Sequence, residues 1–154
     1  MVSHQRGLGI NYWITTGNEA DISVSEAIQF LAEDEKVHTI MAYVESVKDG
    51  KMFTKALDTA RQEKKPVILM KVGRSDVGAA AANSHTASLA GEDAIYSEVI
   101  RAHGAYRVRS TEEMLDVAYA TKPRIYPSGK NLGIVTISGG GGVLMADAAY
   151  DEGL

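Results

Sequence analysis

The chain has 154 residues, of which 45% are hydrophobic, and its formal net charge is −4. This length suffices for one ordinary domain and the beginning of another, and the hydrophobic content predicts a buried core rather than disorder. The acidic balance argues against nucleic-acid binding, and the absence of cysteine excludes disulfides, thiolate catalysis and cysteine-bound zinc. There is neither an apolar run near the ~20 residues of a membrane span nor a signal-peptide pattern. We therefore expect a cytoplasmic protein.

The hydrophobic pattern alternates between strand and helix along the chain. The first strand is expected at residues 8–15 and ends at the turn pair Gly17-Asn18. Ser23 and Glu26 have the spacing of a capping box, in which each side chain satisfies a free backbone N–H of the other, so a helix should begin there. Further strands are predicted at residues 39–44, 67–72, 105–108 and 132–137. Further helices are predicted from the apolar spacing within residues 53–60, at residues 92–103 with Gly104 as the stop, after a second capping box at residues 110–113, and at residues 143–152.

Two stretches break this alternation and divide the chain. Residues 73–91 are rich in glycine, alanine and small polar residues, which predicts a long loop. Residues 121–130 contain two prolines and one glycine, which is typical of a linker. Strands alternating with helices predict a parallel sheet with helices on both faces. We therefore expect a flavodoxin-like α/β domain over residues 1–122, a linker over residues 123–130, and the first βα unit of a second such domain over residues 131–154.

The candidate site residues follow the predicted strands. Ligands of an open parallel sheet bind beyond the carboxyl ends of its strands. Glu45 follows the second strand, the 73–91 loop follows the third, the glycine run at residues 138–142 follows the last, and Gly17-Asn18 follows the first. These segments should therefore meet at one edge of the sheet.

His85, inside the 73–91 loop, is the central candidate. A neutral imidazole attacks a phosphoryl group with one ring nitrogen, while the other donates its proton to an acceptor. Glu45 would be a suitable acceptor, since a carboxylate there fixes the tautomer and stabilises the cation formed on phosphorylation. Taken alone, the residue also fits an ordinary surface histidine. His103, by contrast, lies in a last helical turn, where a structural role is expected.

The run Ser138, Gly139, Gly140, Gly141 and Gly142 is the second candidate. Glycines between a strand and a helix let backbone N–H groups close on an anion, aided by the helix dipole. The run is not a P-loop and lacks the full dinucleotide fingerprint. A tight strand–helix turn explains it equally well.

Taken together and in order, these segments resemble the CoA-ligase domain of the NDP-forming acyl-CoA synthetases, a family that includes ADP-forming acetyl-CoA synthetase and is related to succinyl-CoA synthetase. The similarity spans nearly the whole chain. Its most specific part is Ser84-His85-Thr86 with Leu89-Ala90-Gly91. The matching segments are Gly17-Asn18-Glu-Ala-Asp21, Tyr43-Val44-Glu45, Lys71-Val-Gly73-Arg74-Ser75, and Ser84-His85-Thr86 with Leu89-Ala90-Gly91.

The resemblance implies a reaction and a set of roles. Acyl-CoA, ADP and phosphate would be interconverted with carboxylic acid, CoA and ATP through a phosphohistidine. His85 matches the phosphohistidine and Glu45 the acidic residue that steadies it. Residues 138–142 resemble one of two helix starts that hold the phosphate, and Gly17-Asn18 is expected to contact substrate. No protein metal ligand is implied in this chain.

The resemblance also implies what lies elsewhere. The CoA-binding domain, the ATP-grasp domain that binds ATP or ADP with Mg²⁺, and the second phosphate-holding helix start have no counterpart in this sequence. The family often has glycine after Ser-His-Thr, where this chain has Ala87. We therefore expect a fragment that by itself binds no cofactor tightly. Its expected partners are those two domains, a carboxylic acid substrate and further subunits of an oligomer. Binding to nucleic acid or to a membrane is not expected.

Two other functions fit the same fold. A non-catalytic ligand-sensing module, for example one fused to an acetyltransferase, is the main alternative, although such regulatory versions often replace the histidine that His85 retains. A free-standing flavodoxin-like binding protein would need a nucleotide or flavin fingerprint, and the sequence has none.

Overall fold

The computed structural model describes residues 7–74 and 93–154. Contacts divide the chain into two compact units, Met1–Pro123 and Arg124–Leu154, and each is described here by itself. Residues 75–92, which include most of the predicted loop and His85, lie outside the described residues.

The first unit alternates helices and strands around a parallel sheet. The three strands lie in the order β1-β2-β3, and all pairs are parallel. Ile40 is paired with Val67 across β1 and β2, and Ile68 with Tyr106 across β2 and β3. This confirms the predicted flavodoxin-like α/β architecture. Its elements are α1 (Val24–Glu33), β1 (Ile40–Val44), α2 (Gly50–Gln62), β2 (Val67–Lys71), α3 (Asp93–Ala102), β3 (Tyr106–Arg107) and α4 (Thr111–Thr121).

Side-chain caps begin two of these helices as the sequence predicts, but only one cap is reciprocal. At α1, Ser23 Oγ accepts from the Glu26 N–H at 3.3 Å and the Glu26 carboxylate accepts from the Ser23 N–H at 2.8 Å. At α4, Ser110 Oγ accepts from the Glu113 N–H at 3.1 Å, but the Glu113 carboxylate accepts from the Arg109 N–H instead. The predicted second capping box is therefore only half formed, because the carboxylate reaches one residue further back along the chain.

Both faces of the sheet are buried under helices. On one face, the strands pack against α1, α2 and α3, and on the other, Ile68 and Val108 pack against α4 and Leu8. The consecutive residues Val67, Ile68 and Leu69 are all buried, as expected for a central parallel strand that is covered on both sides. In the described part of the chain, the central strand β2 is therefore covered on both faces, whereas Tyr43 on β1 is exposed.

The prediction of a strand at residues 8–15 is wrong. Leu8 is buried in the core, yet the segment that follows runs outside the sheet. Side chains hold it there, since Asn11 Nδ2 donates to the Lys36 carbonyl at 2.7 Å and the Tyr12 hydroxyl donates to the Asp34 carboxylate. Trp13 is 74% exposed. An apolar run becomes a strand only where a neighbouring strand pairs with it, and these residues have no such partner among the described residues.

The second unit also departs from its predicted elements. Residues 132–137 are not a strand, and Val135 is almost fully exposed, because no described strand lies alongside them. The helix that follows, α5 (Gly139–Asp151), begins four residues before the predicted start at residue 143. The glycine run is therefore the first turn of this helix rather than a loop before it. That this unit begins a further flavodoxin-like domain stays a prediction.

Replacing Tyr12 with Phe is expected to destabilise the protein in a pH-dependent way. The Tyr12 hydroxyl, followed by the Lys36 backbone N–H, lowers the pKa of the Asp34 carboxyl from its usual value. A carboxyl whose folded pKa is lowered stabilises the fold above its unfolded pKa of about 3.9, and this stabilisation is lost as the pH falls through the folded pKa.

The measurement is urea unfolding of both proteins across a pH series. The difference between them should be greatest near neutral pH and should shrink as the pH falls below about 4. Tyr43→Phe is the matched control, because Tyr43 on β1 is exposed. A difference that stays constant over the whole series would contradict the assignment to Asp34.

Candidate functional site

Charged residues gather where the parallel strands end. Glu45 directly follows β1, Lys71 is the last residue of β2, and Arg107 is the last residue of β3. Asp93 and Tyr96 approach the same edge from the first turns of α3. We call these five residues the carboxyl-edge cluster. It occupies the part of an open parallel sheet where ligands bind.

Glu45 keeps a carboxylate oxygen available for a hydrogen bond. The residue is partly buried, and its Oε2 atom is buried without a hydrogen-bond partner among the described residues. An unsatisfied buried acceptor is costly, so such an atom in a native fold is a place to look for function. The predicted partner, His85, lies outside the described residues, so the predicted pairing of the two stays a prediction.

Lys71 is a buried cation at the end of an apolar strand. The residue is 2% exposed, and its Nζ lies 4.8 Å from the centroid of the Tyr96 ring and donates to the Val72 carbonyl. Burial has the largest effect and lowers the pKa of the Lys71 ammonium. The carboxylates of Asp93 and Glu45 act in the opposite direction and raise this pKa, whereas the positive charge of Arg107 lowers it further. The ammonium is therefore held by an aromatic face and a backbone carbonyl, with little contact with bulk water.

Tyr96 joins two segments of the cluster. Its ring covers Lys71, and its hydroxyl accepts a hydrogen bond from the Val47 backbone N–H at 3.1 Å. Val47 is only two residues beyond Glu45. One side chain on α3 therefore contacts both the end of β2 and the loop that carries Glu45.

Arg107 ties the start of α3 to β3. Its guanidinium forms an ion pair with the Asp93 carboxylate and donates to the Asp93 carbonyl at 3.2 Å and to Ser97 Oγ. A cleft of about 430 Å³ lies beside this pair, and its lining includes Arg74, Arg107 and Arg109. The lining holds four arginines and the two carboxylates of Asp93 and Glu98, a net charge of +2, and Arg107 and Arg101 are paired with those carboxylates. The excess positive charge has the sign that a phosphate group requires.

The Gly17-Asn18 turn is held beside the loop that follows β1. Lys48 Nζ, from that loop, donates to the Asn18 carbonyl at 2.6 Å and to the Glu19 carbonyl at 3.0 Å. Gly17 and Glu19 both have positive φ, of 57° and 52°, so the turn uses a conformation that suits glycine and strains glutamate. The structure thus brings Gly17-Asn18 next to the segment that carries Glu45. A role of this turn in substrate binding stays a prediction.

The glycine run lies in the second unit and forms an exposed helix start. Ser138 caps α5, since its Oγ accepts from the Gly141 N–H at 3.2 Å, while Thr136 Oγ1 accepts from the Ser138 N–H at 3.0 Å. A Cβ atom at Gly142 would lie 3.1 Å from Thr136 Cγ2, so glycine permits this close turn. The predicted phosphate contact of residues 138–142 stays a prediction.

The sequence reasoning missed several residues of this edge. Lys71 and Arg107 could have been noticed, because each is a cation at or near the end of a short apolar segment. Tyr96 gives no such signal, because an aromatic residue on a helix is most often part of the core. His103 has the expected structural role, since its Nδ1 lies 2.7 Å from Asp58 Oδ1 on α2.

The fold and this edge define the class of the protein. A parallel sheet covered on both faces, with charged side chains beyond the carboxyl ends of its strands, is a flavodoxin-like α/β domain with a ligand-binding edge. The sequence profile of the succinyl-CoA ligase-like flavodoxin domain matches residues 2–121. The chain therefore belongs to the family of succinyl-CoA ligase-like flavodoxin domains, as its sequence resemblance predicted.

Named relatives agree with this family. The chain is 41% identical to the alpha subunit of acetate–CoA ligase (ADP-forming) I of Pyrococcus furiosus, over 96% of this chain and 32% of the relative. It is 38% identical to the acetate–CoA ligase (ADP-forming) of Methanocaldococcus jannaschii, over 94% of this chain and 20% of the relative. The chain thus spans a third or less of the length of either relative.

A solved structure has the same fold. The acetyl-coenzyme A synthetase 1 of Ca. Korarchaeum cryptofilum, in complex with phosphate and ADP, matches with a TM-score of 0.89 and 33% identity. The match covers 99% of this chain and 33% of that chain. The arrangement found here therefore matches about one third of that synthetase chain.

Replacing Lys48 with Met should loosen the Gly17-Asn18 turn without unfolding the domain. The substitution removes two charge-assisted hydrogen bonds to backbone carbonyls, each of which is worth up to about 1.5–3 kcal/mol when sheltered and less at an exposed site such as this one. Amide hydrogen exchange at Glu19, whose N–H donates to the Thr16 carbonyl at 3.0 Å, should become faster. Lys55→Met on α2 is the control. Unchanged exchange at Glu19 would show that Lys48 does not hold the turn.

Proposed function

We propose that the chain is part of an NDP-forming acyl-CoA synthetase. The complete enzyme would interconvert acyl-CoA, ADP and phosphate with carboxylic acid, CoA and ATP. The relatives and the solved structure support this proposal, since the former are ADP-forming acetate–CoA ligases and the latter is a synthetase in complex with phosphate and ADP. The acyl group is left open.

His85 would be the phosphate carrier. Phosphate displaces CoA from acyl-CoA to give an acyl phosphate, a ring nitrogen of His85 takes the phosphoryl group and releases the carboxylic acid, and ADP then takes the phosphoryl group to form ATP. A covalent carrier splits one difficult transfer into two easier ones. The Ser84-His85-Thr86 segment is the part of the sequence that supports this role.

Among the described residues, Glu45 is the one that supports the proposal most directly. Its Oε2 atom is a buried acceptor with no partner among the described residues, at the end of β1 where ligands of this fold bind. An acceptor of this kind suits the ring N–H of an imidazole, whose other nitrogen is then free to attack. We assign Glu45 this orienting role.

The other components of the reaction belong to other domains or subunits. The residues that the structure describes contain no group of three or more His, Asp or Glu side chains that could hold a metal ion. From the family resemblance, we propose that ATP or ADP with its Mg²⁺ binds to an ATP-grasp partner and that CoA binds to a CoA-binding partner. Residues 138–142 and the Gly17-Asn18 turn are proposed to contact phosphate and substrate. None of the described helices is long and apolar enough to span a membrane. On the family resemblance, we propose a cytoplasmic, oligomeric enzyme.

Labelling of the assembled enzyme with radioactive ATP tests the carrier. His85 should take the label, and His85→Ala should not. His38→Ala is the matched control, because His38 is exposed and lies before β1. The label should be lost in acid and kept in base, as for a phosphoramidate. Acid-stable label on Ser84 or Thr86, or full labelling of His85→Ala, would remove His85 from the mechanism.

Replacing Glu45 with Gln should slow labelling without abolishing it. The amide retains the shape of the side chain but loses the charge that stabilises an imidazolium. Misplacing a reacting group costs up to about a hundredfold, so we expect a reduction of roughly 10- to 100-fold. A normal labelling rate in Glu45→Gln would contradict the proposed role of Glu45 and would leave the conclusion about the fold unchanged.

If the assembled protein labels His85 but has no ligase activity, the result would favour the ligand-sensing alternative.

A further inference from the structure

Lys71 is an unusual residue for its position. The other residues of β2 are apolar, and the neighbouring core requires no charge there. A buried ammonium disfavours folding unless nearby groups compensate it, and a methionine of similar volume would avoid that cost. The Tyr96 ring at 4.8 Å and the Val72 carbonyl supply part of the compensation. A cation kept here at a cost in stability indicates a role beyond packing.

Tyr96 gives this cation a connection to Glu45. The ring lies over Lys71, and the hydroxyl holds the Val47 N–H two residues after Glu45. The Lys71 ammonium also interacts electrostatically with the Glu45 carboxylate. Lys71 is also paired with Val44, the residue before Glu45, across β1 and β2, so Tyr96 and Lys71 act on the residues that flank this glutamate.

The start of α3 is fixed at the same place. Arg107 binds the Asp93 side chain and its carbonyl, so α3 cannot shift along β3 without breaking these bonds. Tyr96 lies one turn further along α3, and its hydroxyl accepts the hydrogen bond from Val47, so the loop after β1 is attached to the same fixed helix. Arg74 and Asp93, the last and first described residues around the segment that contains His85, both line the cleft beside Arg107.

We propose that Lys71 and Tyr96 act as a pair of positioning residues that hold Glu45 for its interaction with His85. This inference rests on the proposed function. Tyr96 fixes the loop that carries Glu45, and Lys71 holds the Tyr96 ring and keeps a positive charge near the carboxylate. Neither residue touches the reacting phosphoryl group.

Hydrogen exchange at the Val47 amide tests the backbone contact without any catalytic assay. Tyr96→Phe keeps the ring and removes the hydroxyl, so the amide should exchange about 5- to 10-fold faster, the change expected for one lost hydrogen bond. Tyr119→Phe is the matched control, since Tyr119 is an exposed helical tyrosine on α4 whose ring also lies near a lysine, at 6.0 Å from Lys122 Nζ. Unchanged exchange at Val47 in Tyr96→Phe would overturn the proposed contact.

A double-mutant comparison in the assembled enzyme tests whether both residues act through Glu45. Tyr96→Phe and Lys71→Met should each slow His85 labelling by about 10-fold or less, below the effect of losing Glu45 itself. Combined with Glu45→Gln, neither should slow labelling further, because the residue through which they act is already changed. Effects that multiply in the double variants would overturn the inference in favour of an independent structural role.

The Lys71→Met variant also distinguishes a positioning role of Lys71 from a contribution to the stability of the fold. Because the variant removes a buried charge and conserves volume, its urea midpoint should be equal to or higher than that of the unchanged protein, while its labelling rate falls. A parallel fall of stability and labelling would mark Lys71 as merely structural.

Failure of the inference and failure of the proposed function give different results. If the unchanged enzyme does not label His85, the proposed function is wrong and the positioning role is wrong with it, even if Tyr96 holds Val47. If His85 is labelled and Tyr96→Phe and Lys71→Met label at the normal rate, the proposed function stands and only this inference is overturned.

Discussion

Burial of β2 on both faces is the constraint on which the rest of the first unit depends. Three consecutive apolar residues, Val67, Ile68 and Leu69, point alternately to opposite sides of the sheet, and each must be covered. Helices α1, α2 and α3 therefore pack on one side, while α4 and Leu8 pack on the other. With both faces occupied, the carboxyl ends of the strands are left as the place for polar chemistry.

The same constraint explains the electrostatics of that edge. The side chain of Lys71 continues the row of Val67 and Leu69, so it enters the core side of the sheet and not bulk solvent. Its charge must then be balanced locally, and the ring of Tyr96 with the carboxylates of Asp93 and Glu45 does this. The groups at this edge therefore largely compensate one another. The Oε2 atom of Glu45 is the exception, since it is buried and has no hydrogen-bond partner among the described residues.

The two strand predictions that failed share one cause. Residues 8–15 and 132–137 have the apolar, β-branched composition of strands, and composition is what the prediction used. A strand also needs hydrogen-bonding neighbours, and those are supplied by segments distant in sequence. The helix starts at Ser23 and Ser110 were predictable because a cap involves residues only three apart.

Local sequence by itself therefore determined the helices and strands of the described sheet domain, the parallel architecture, the family, and the candidates Glu45 and His85. Periodicity and short motifs suffice for these, since the interactions involved are close in sequence or shared by a whole family. Only the tertiary structure decided that Lys48 holds the Gly17-Asn18 turn, that Tyr96 reaches Val47, and that Lys71 is a buried cation. Such contacts join residues about 25 to 50 positions apart, and no local pattern records them, because they depend on which strand ends the folded sheet brings together.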